Sequence, residues 1–166
     1  MSNRYMCSSM DDMINITSNA EWQRHTPKSA ESLGFVYIVV TDAGRWYIGK
    51  KQYTSTITLP PLSGKKKKRK VTKESDWGKY HGSSRQLCDD IKRGTSYQKH
   101  IVFEGISKSE LAYVETKLQL HFDAAILTES YNGILNCRLS KIKVKSTHGE
   151  DYQLAIDCIV KILSKT

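Results

Sequence analysis

The chain contains no apolar run approaching the roughly 20 residues that a membrane-spanning helix requires. Its opening stretch, MSNRYMCSSMDDM, lacks the apolar centre of a secretory signal. These two absences lead to the expectation of a cytoplasmic protein with no membrane partner. Cysteine is sparse as well: Cys7, Cys88, Cys137 and Cys158 lie far apart, form no C-x-x-C pair and have no histidine at zinc-finger spacing. Free, buried or half-buried thiols are the expected state in a reducing compartment. No internal repeat is visible.

With 166 residues, 39% of them hydrophobic, the chain can bury one real core but not two full-sized domains. Lysine and arginine number 26 against 17 aspartates and glutamates, giving +9 and pointing to a polyanionic partner. The charge is concentrated. Between Gly64 and Lys79 stand eight basic residues (Lys65, Lys66, Lys67, Lys68, Arg69, Lys70, Lys73, Lys79) against Glu74 and Asp76, a net +6 of the total +9. The run follows Pro60-Pro61 and Ser63-Gly64 and has no hydrophobic periodicity, so it is expected to be a mobile basic loop, about 54–76, inserted into the domain. Such a loop can track phosphates without reading sequence. The string KKKKRKV also looks like a nuclear-import signal. A second basic run, Arg138, Lys141, Lys143 and Lys145, is expected to extend a DNA-binding track.

Residues 1–33 are nearly neutral and are expected to form an arm on the domain. Phe35 to Thr41 is β-branched and aromatic, Asp42-Ala43-Gly44 supplies turn residues, and Arg45 to Lys50 completes a hairpin. Gly82-Ser83-Ser84 precedes a short helix carrying Leu87 and Ile91 and ending at Gly94. Lys99 to Glu104 is expected to be a third strand with Ile101 and Phe103 on one face. Ser107 and Glu110 form a capping box that opens a helix to about Phe122. Tyr131 to Arg138 is expected to be extended, and Tyr152 to Leu163 a closing helix with Ala155, Ile159 and Ile162 inward. The sum is a small α/β (α+β) domain over 34–140, with a C-terminal extension over 141–166.

One residue of the capped helix is out of place. At 100° per residue, Leu111, Val114, Leu118 and Phe122 span about 80° of arc, and Glu115 falls about 20° beyond its edge. A carboxylate aimed near the core needs a cation, a hydrogen-bond cluster or a cleft, because uncompensated burial costs several kcal/mol. A boundary glutamate that reaches water is the alternative.

Phe35-Val36-Tyr37 and Tyr47-Ile48-Gly49, their tyrosines ten residues apart, resemble the paired motifs of the GIY-YIG nucleases, with Phe-Val-Tyr for Gly-Ile-Tyr. Lys50 directly after YIG is similar to the nuclease half of the excision-repair endonucleases. YIGKK, then W-x-x-Y-x-G-S-S at Trp77 to Ser84, Glu115, and Tyr131-Asn132 look most like the phage-encoded, free-standing (homing-type) branch. The resemblance implies a three-stranded antiparallel sheet flanked by helices, with both tyrosines at one edge. It also implies one divalent metal, Mg²⁺ or Mn²⁺, on Glu115, and hydrolysis of a phosphodiester in double-stranded DNA. Tyr47 would handle the attacking water's proton, made competent by Lys50 and Lys51, because a free phenol has a pKa of about 10. Gly49 would let the phosphate approach the backbone. The helix arginine common in the family has no direct counterpart, and Lys51 or Arg85 could stand in its place. Tyr80 and His81 both compete for a position usually holding histidine or tyrosine. Asn132 suits the asparagine position better than Asn136. Two further function classes compete: a module that keeps the fold and binds nucleic acid without chemistry, and an RNA-binding or translation-associated protein. The resemblance leaves open whether the protein is a monomer or a homodimer.

Overall fold

The computed structural model describes residues 21–135 and 147–165. Strands β1 (Trp22–Arg24), β2 (Gly34–Thr41), β3 (Trp46–Gln52), β4 (Thr54–Leu59) and β5 (Arg69–Glu74) precede helix α1 (Arg85–Lys92). Strand β6 (Tyr97–Gly105) and helices α2 (Lys108–His121) and α3 (His148–Leu163) follow. The expected mixed α and β architecture is therefore present.

The main sheet has four strands, ordered β1-β6-β2-β3, where the sequence reading expected three. Strands β6, β2 and β3 are antiparallel neighbours, and β1 adds in parallel along the far side of β6. The fourth strand comes from the arm. An unpaired β6 edge would leave backbone donors and acceptors bare, and Trp22–Arg24 cover it. Trp22 also packs edge-on against Phe35 and Tyr37, at 5.0 and 5.2 Å between ring centroids.

Strand β2 is buried along its whole length, and its alternation supplies two cores. Val36, Ile38 and Val40 join Trp46, Ile48 and the inner faces of α2 and α3. Phe35, Tyr37 and Val39 face Tyr47, Tyr53, Leu87 of α1 and Tyr97. The expectation that Ile101 and Phe103 share a face is wrong. Tyr37 pairs with Ile101 while Val36 pairs with Phe103, so β6 carries one extra residue there. This bulge leaves Ile101 on the aromatic side and sends Val102 and Phe103 to the helix side.

The β2–β3 turn closes as expected, with Gly44 at φ +73°, a conformation side chains resist. Ser107 caps α2 by accepting from the backbone N–H of Glu110, and Glu110 reaches back to accept from Ile106 N at 2.7 Å. Helix α3 begins at His148, four residues before the expected Tyr152, because Glu150 and Asp151 suit a first helical turn. Its Ala155 and Ile159 are buried as expected, and Ile162 is half-buried.

The largest departure is the basic insertion. Thr54–Leu59 and Arg69–Glu74 pair as an antiparallel hairpin, a separate two-stranded sheet, where a loop was expected. Threonine and β-branched residues on both strands favour pairing, a signal that the lysine run obscured. Residues 131–135 form no regular strand, and Ser130 makes only an isolated parallel bridge to Trp46. Cys158 is a free thiol, but Cys88 is disulfide-bonded, contrary to expectation. Separation along the chain did not exclude a bridge, since loop closure costs entropy only slowly with length. The basic residues Arg138, Lys141, Lys143 and Lys145, and Asn136, lie outside the described residues. No helix among the described residues is long and apolar enough to cross a membrane.

Two measurements check this packing. Ile159→Ala should lower stability by about 3 kcal/mol, because a fully buried side chain leaves a cavity between α3 and the sheet. Removing residues from Thr147 onward should cost more than that. A second expectation concerns pH. His25 Nε2 and His100 Nδ1 lie 3.0 Å apart, and burial, then the neighbouring His25, push His100 down to about 4 from the ordinary 6.5. A histidine depressed in the fold stabilises it above the unfolded pKa, and that contribution is lost as pH falls from 6.5 towards 4. Melting temperature should fall more steeply across this window for the wild type than for His100→Gln.

Candidate active site

Strand β3 is the last strand of the sheet, so one of its edges faces no partner strand. The backbone groups of alternate residues Trp46, Ile48 and Lys50 point outward from that edge, and the protein meets each with other groups. Trp46 donates to Glu129 O at 2.9 Å and accepts from Tyr131 N at 2.7 Å. Ile48 N donates to Asn132 Oδ1 at 2.9 Å, and Ile48 O accepts from Asn132 Nδ2 at 2.8 Å and Gln119 Nε2 at 2.9 Å. The Lys50 N–H donates to the carboxylate of Glu115. Glu115 and Gln119 are four residues apart, one turn of α2, and face this edge together.

The edge positions the side chains that the sequence singled out. Tyr37 and Tyr47 lie side by side, ring centroids 6.1 Å apart, and Tyr80 meets Tyr37 edge-on at 6.2 Å. Tyr47 Oη lies 3.0 Å from Ser83 Oγ, and the Tyr80 hydroxyl engages Ser83 and Tyr37. Lys50 Nζ forms an ion pair with Glu115, whose side chain is only 13% exposed. Lys51 pairs with Asp76 and sits 3.8 Å above the Tyr80 ring. The fold thus brings together Tyr37, Tyr47, Gly49, Lys50, Lys51, Tyr80, Glu115 and Asn132.

Two candidates stand apart. Arg85, with its side chain 90% exposed, faces Asp89 on its own helix at 3.8 Å. His81 packs against Tyr97 at 5.9 Å, and burial lowers its pKa. Of the two residues competing beside the Gly82 turn, Tyr80 joins the cluster. Sequence reasoning missed Asp76, Ser83 and Gln119. Ser83 stood inside the W-x-x-Y-x-G-S-S string, and Gln119 one helical turn beyond Glu115, so both had a signal. Asp76 had none.

Two expected roles need correction. A Cβ on Gly49 would lie 2.6 Å from Tyr37 Oη and 2.7 Å from Tyr47 Cε1. The glycine is required by the two rings, which already fill the space above it. The lysines do not acidify Tyr47. Burial pushes its phenol up to about 12, beyond what the Ser83 hydrogen bond recovers, and Glu115 adds to the rise. Both ammonium groups are engaged by carboxylates, Lys50 by Glu115 and Lys51 by Asp76. Tyr37, fully buried, is also raised, by burial first and then by its neighbours Tyr47, Tyr80 and Glu115, and Tyr80 is raised too. Glu115 is itself raised, since burial outweighs Lys50. Asp76 is lowered, since its bond to Lys51 overcomes partial burial.

A paired YIG strand, its partner tyrosine and a glutamate from the following helix thus meet at one sheet edge. The model of the family described as "Putative endonuclease segE, GIY-YIG domain" matches residues 16–135, most of the chain. The chain belongs to the GIY-YIG nuclease family. No curated protein and no solved structure matches it. Membership brings with it an endonuclease, and hence hydrolase, ancestry for this edge. The match begins before β1 and includes the basic hairpin, so both elements lie within the GIY-YIG domain.

Gly49→Ala tests the packing of the tyrosine pair. The added methyl should displace both rings and lower stability by about 2 kcal/mol, as overpacking does in a filled core. An unchanged melting temperature would show that the rings yield freely.

Proposed function

We propose that this GIY-YIG protein is a divalent-metal-dependent endonuclease that hydrolyses phosphodiester bonds in double-stranded DNA. The observation that carries the reading is Glu115, a nearly buried carboxylate held at the sheet edge beside three neutral phenols and an ammonium. A carboxylate whose burial raises its pKa despite a paired ammonium, set at a sheet edge among tyrosines, is an environment typical of a functional group.

The donor set fits one kind of metal. Among the described residues no group of three or more histidine, cysteine, aspartate or glutamate side chains could hold an ion. A single carboxylate suits Mg²⁺ or Mn²⁺, which keep water and take further oxygens from a phosphate. Glu115 would hold the metal, and when bound it would neutralise phosphate charge and acidify nearby water. Asn132 is unsuited as a ligand, since both its polar atoms are engaged by Ile48.

The protein's own groups divide the remaining work. Tyr47, a neutral phenol at pH 7, orients the attacking water through its oxygen, and Ser83 fixes the direction of its hydroxyl. Tyr37 and Tyr80 hold that ring in place. Lys50 opposes the rise that burial imposes on Glu115. Lys51, anchored by Asp76, lies one residue further along the strand and supplies positive charge to an incoming phosphate. The exposed cations Lys65 to Lys70 attract the DNA backbone. The cytoplasm, that of a bacterial host if the gene is phage-borne, is the compartment this reading expects.

Glu115→Gln should abolish Mg²⁺-dependent nicking of supercoiled plasmid, with DNA binding retained or tighter, because it removes the ligand and one negative charge. Tyr47→Phe should lower cleavage by about 10²-fold or more while the ring still packs against Gly49. Each variant is compared with wild type in Mg²⁺ and in chelator, with its melting temperature recorded. Unimpaired cleavage by folded Glu115→Gln would reduce the glutamate to a cap for the strand edge and remove it as the metal ligand.

A further inference from the structure

The hairpin β4–β5 has two unlike faces. Cross-strand pairing places Thr54, Thr56, Thr58 and Thr72 together on one face, with Lys70 at its outer end and Glu74 at its root. Ile57, Leu59 and Val71 lie on the other, with Ser55, Arg69 and Lys73. The threonine face is exposed throughout, whereas Ile57 and Leu59 are partly covered. Seven of the residues from Thr54 to Glu74 are basic and one is acidic, and Lys65 to Lys68 occupy the tip. The root is fixed beside the active site. Ser75 N donates to Tyr53 O at 2.9 Å, Ser75 Oγ donates to Gln52 O at 2.6 Å, and Lys51 holds Asp76. Strand β4 follows β3, the strand of Tyr47 and Lys50, after Tyr53 alone.

From this geometry we infer that the hairpin is a two-stranded ribbon that enters the major groove of duplex DNA and reads base edges with its threonine face. This rests on the DNA endonuclease reading above and adds to it a determinant of where the enzyme cuts. A two-stranded β-ribbon has the width the major groove admits. Threonine suits the groove floor, because its hydroxyl bonds to donors or acceptors on base edges and its methyl meets that of thymine. The tip lysines meet phosphates, which sets affinity and register but carries no sequence information. The A-form RNA major groove is too deep and narrow for such a ribbon.

The rigid root turns strand length into a distance along DNA. Six residues at about 3.3 Å each reach about 20 Å, or roughly 6 base pairs at 3.4 Å per pair. Bases read by the ribbon therefore lie on one side of the cut, within roughly 6 base pairs of it.

The full-length protein is used to select from a randomised duplex library in chelator, and the selected duplexes are then cut in Mg²⁺. Wild type should enrich a short motif flanking one side of its cut site. The combined change Thr56→Val, Thr58→Val and Thr72→Val, which keeps β-branching and so the ribbon, should reduce preference for that motif by roughly tenfold while leaving binding to scrambled DNA unchanged. Replacing Lys65 to Lys68 by alanine should weaken all sequences alike and flatten the salt slope. Removing Thr54-Ser55 together with Lys73-Glu74, the two pairs nearest the root, preserves alternation and the three threonines and should move the motif about 2 base pairs towards the cut. Absence of any enriched motif, or one that survives the valine changes and stays in place in the shortened ribbon, overturns the inference, as does equal affinity for structured RNA. A motif that behaves as expected without any cleavage would instead keep the ribbon and refute the nuclease reading.

Discussion

The free edge of β3 is the constraint around which the site is organised. A β-strand at the end of a sheet presents backbone donors and acceptors that must be paired or hydrated, and three successive outward-facing residues here are met by groups from elsewhere in the chain. Asn132 binds both backbone groups of Ile48, Gln119 adds a second donor to its carbonyl, and Glu115 accepts from Lys50. Closing the edge fixes the height of Tyr47 and Gly49 on either side of Ile48. It also draws a carboxylate to a place where packing alone would exclude one. Edge protection and candidate chemistry therefore share the same residues.

On the inner side of the same strand, steric and electrostatic demands converge. Tyr37 pairs with Gly49 across the sheet, and only a residue without Cβ leaves room for two phenols there. Crowding the rings into a dry pocket keeps them protonated, which burial and the nearby Glu115 both favour. Lys50 and Lys51 point to different carboxylates, so the two lysines after the glycine have separate tasks. One opposes the effect of burial on Glu115, and the other ties β3 to the root of the basic hairpin.

That tie links the site to the surface that would find its substrate. A hairpin standing away from the body is marginal by itself. Tyr53 at its root, however, is buried and donates to Glu104 at 2.6 Å, and Glu104 is paired in turn with Arg24 of β1. The arm, the central strand and the hairpin root are thereby fastened by one buried carboxylate.

Several features were legible in the residues alone. The β2–β3 hairpin, α1, the capped α2 and the anomalous Glu115 follow from alternation, glycine placement and a 100° helical period, all of which act over a few neighbouring residues. The family motifs also lie in short runs, so Tyr37, Tyr47 and Glu115 could be named without coordinates. Tertiary structure decided what depends on distant partners: the parallel β1 strand, the bulge that separates Ile101 from Phe103, and the disulfide at Cys88. It also separated Tyr80 from His81 and gave Gly49 to the tyrosines. The pairing of Lys51 with Asp76 had no signal in sequence, since they stand 25 positions apart across a hairpin whose register is a cooperative property of two strands. Local periodicity reports which face a residue occupies, but which groups meet there is set by backbone pairing across the whole sheet.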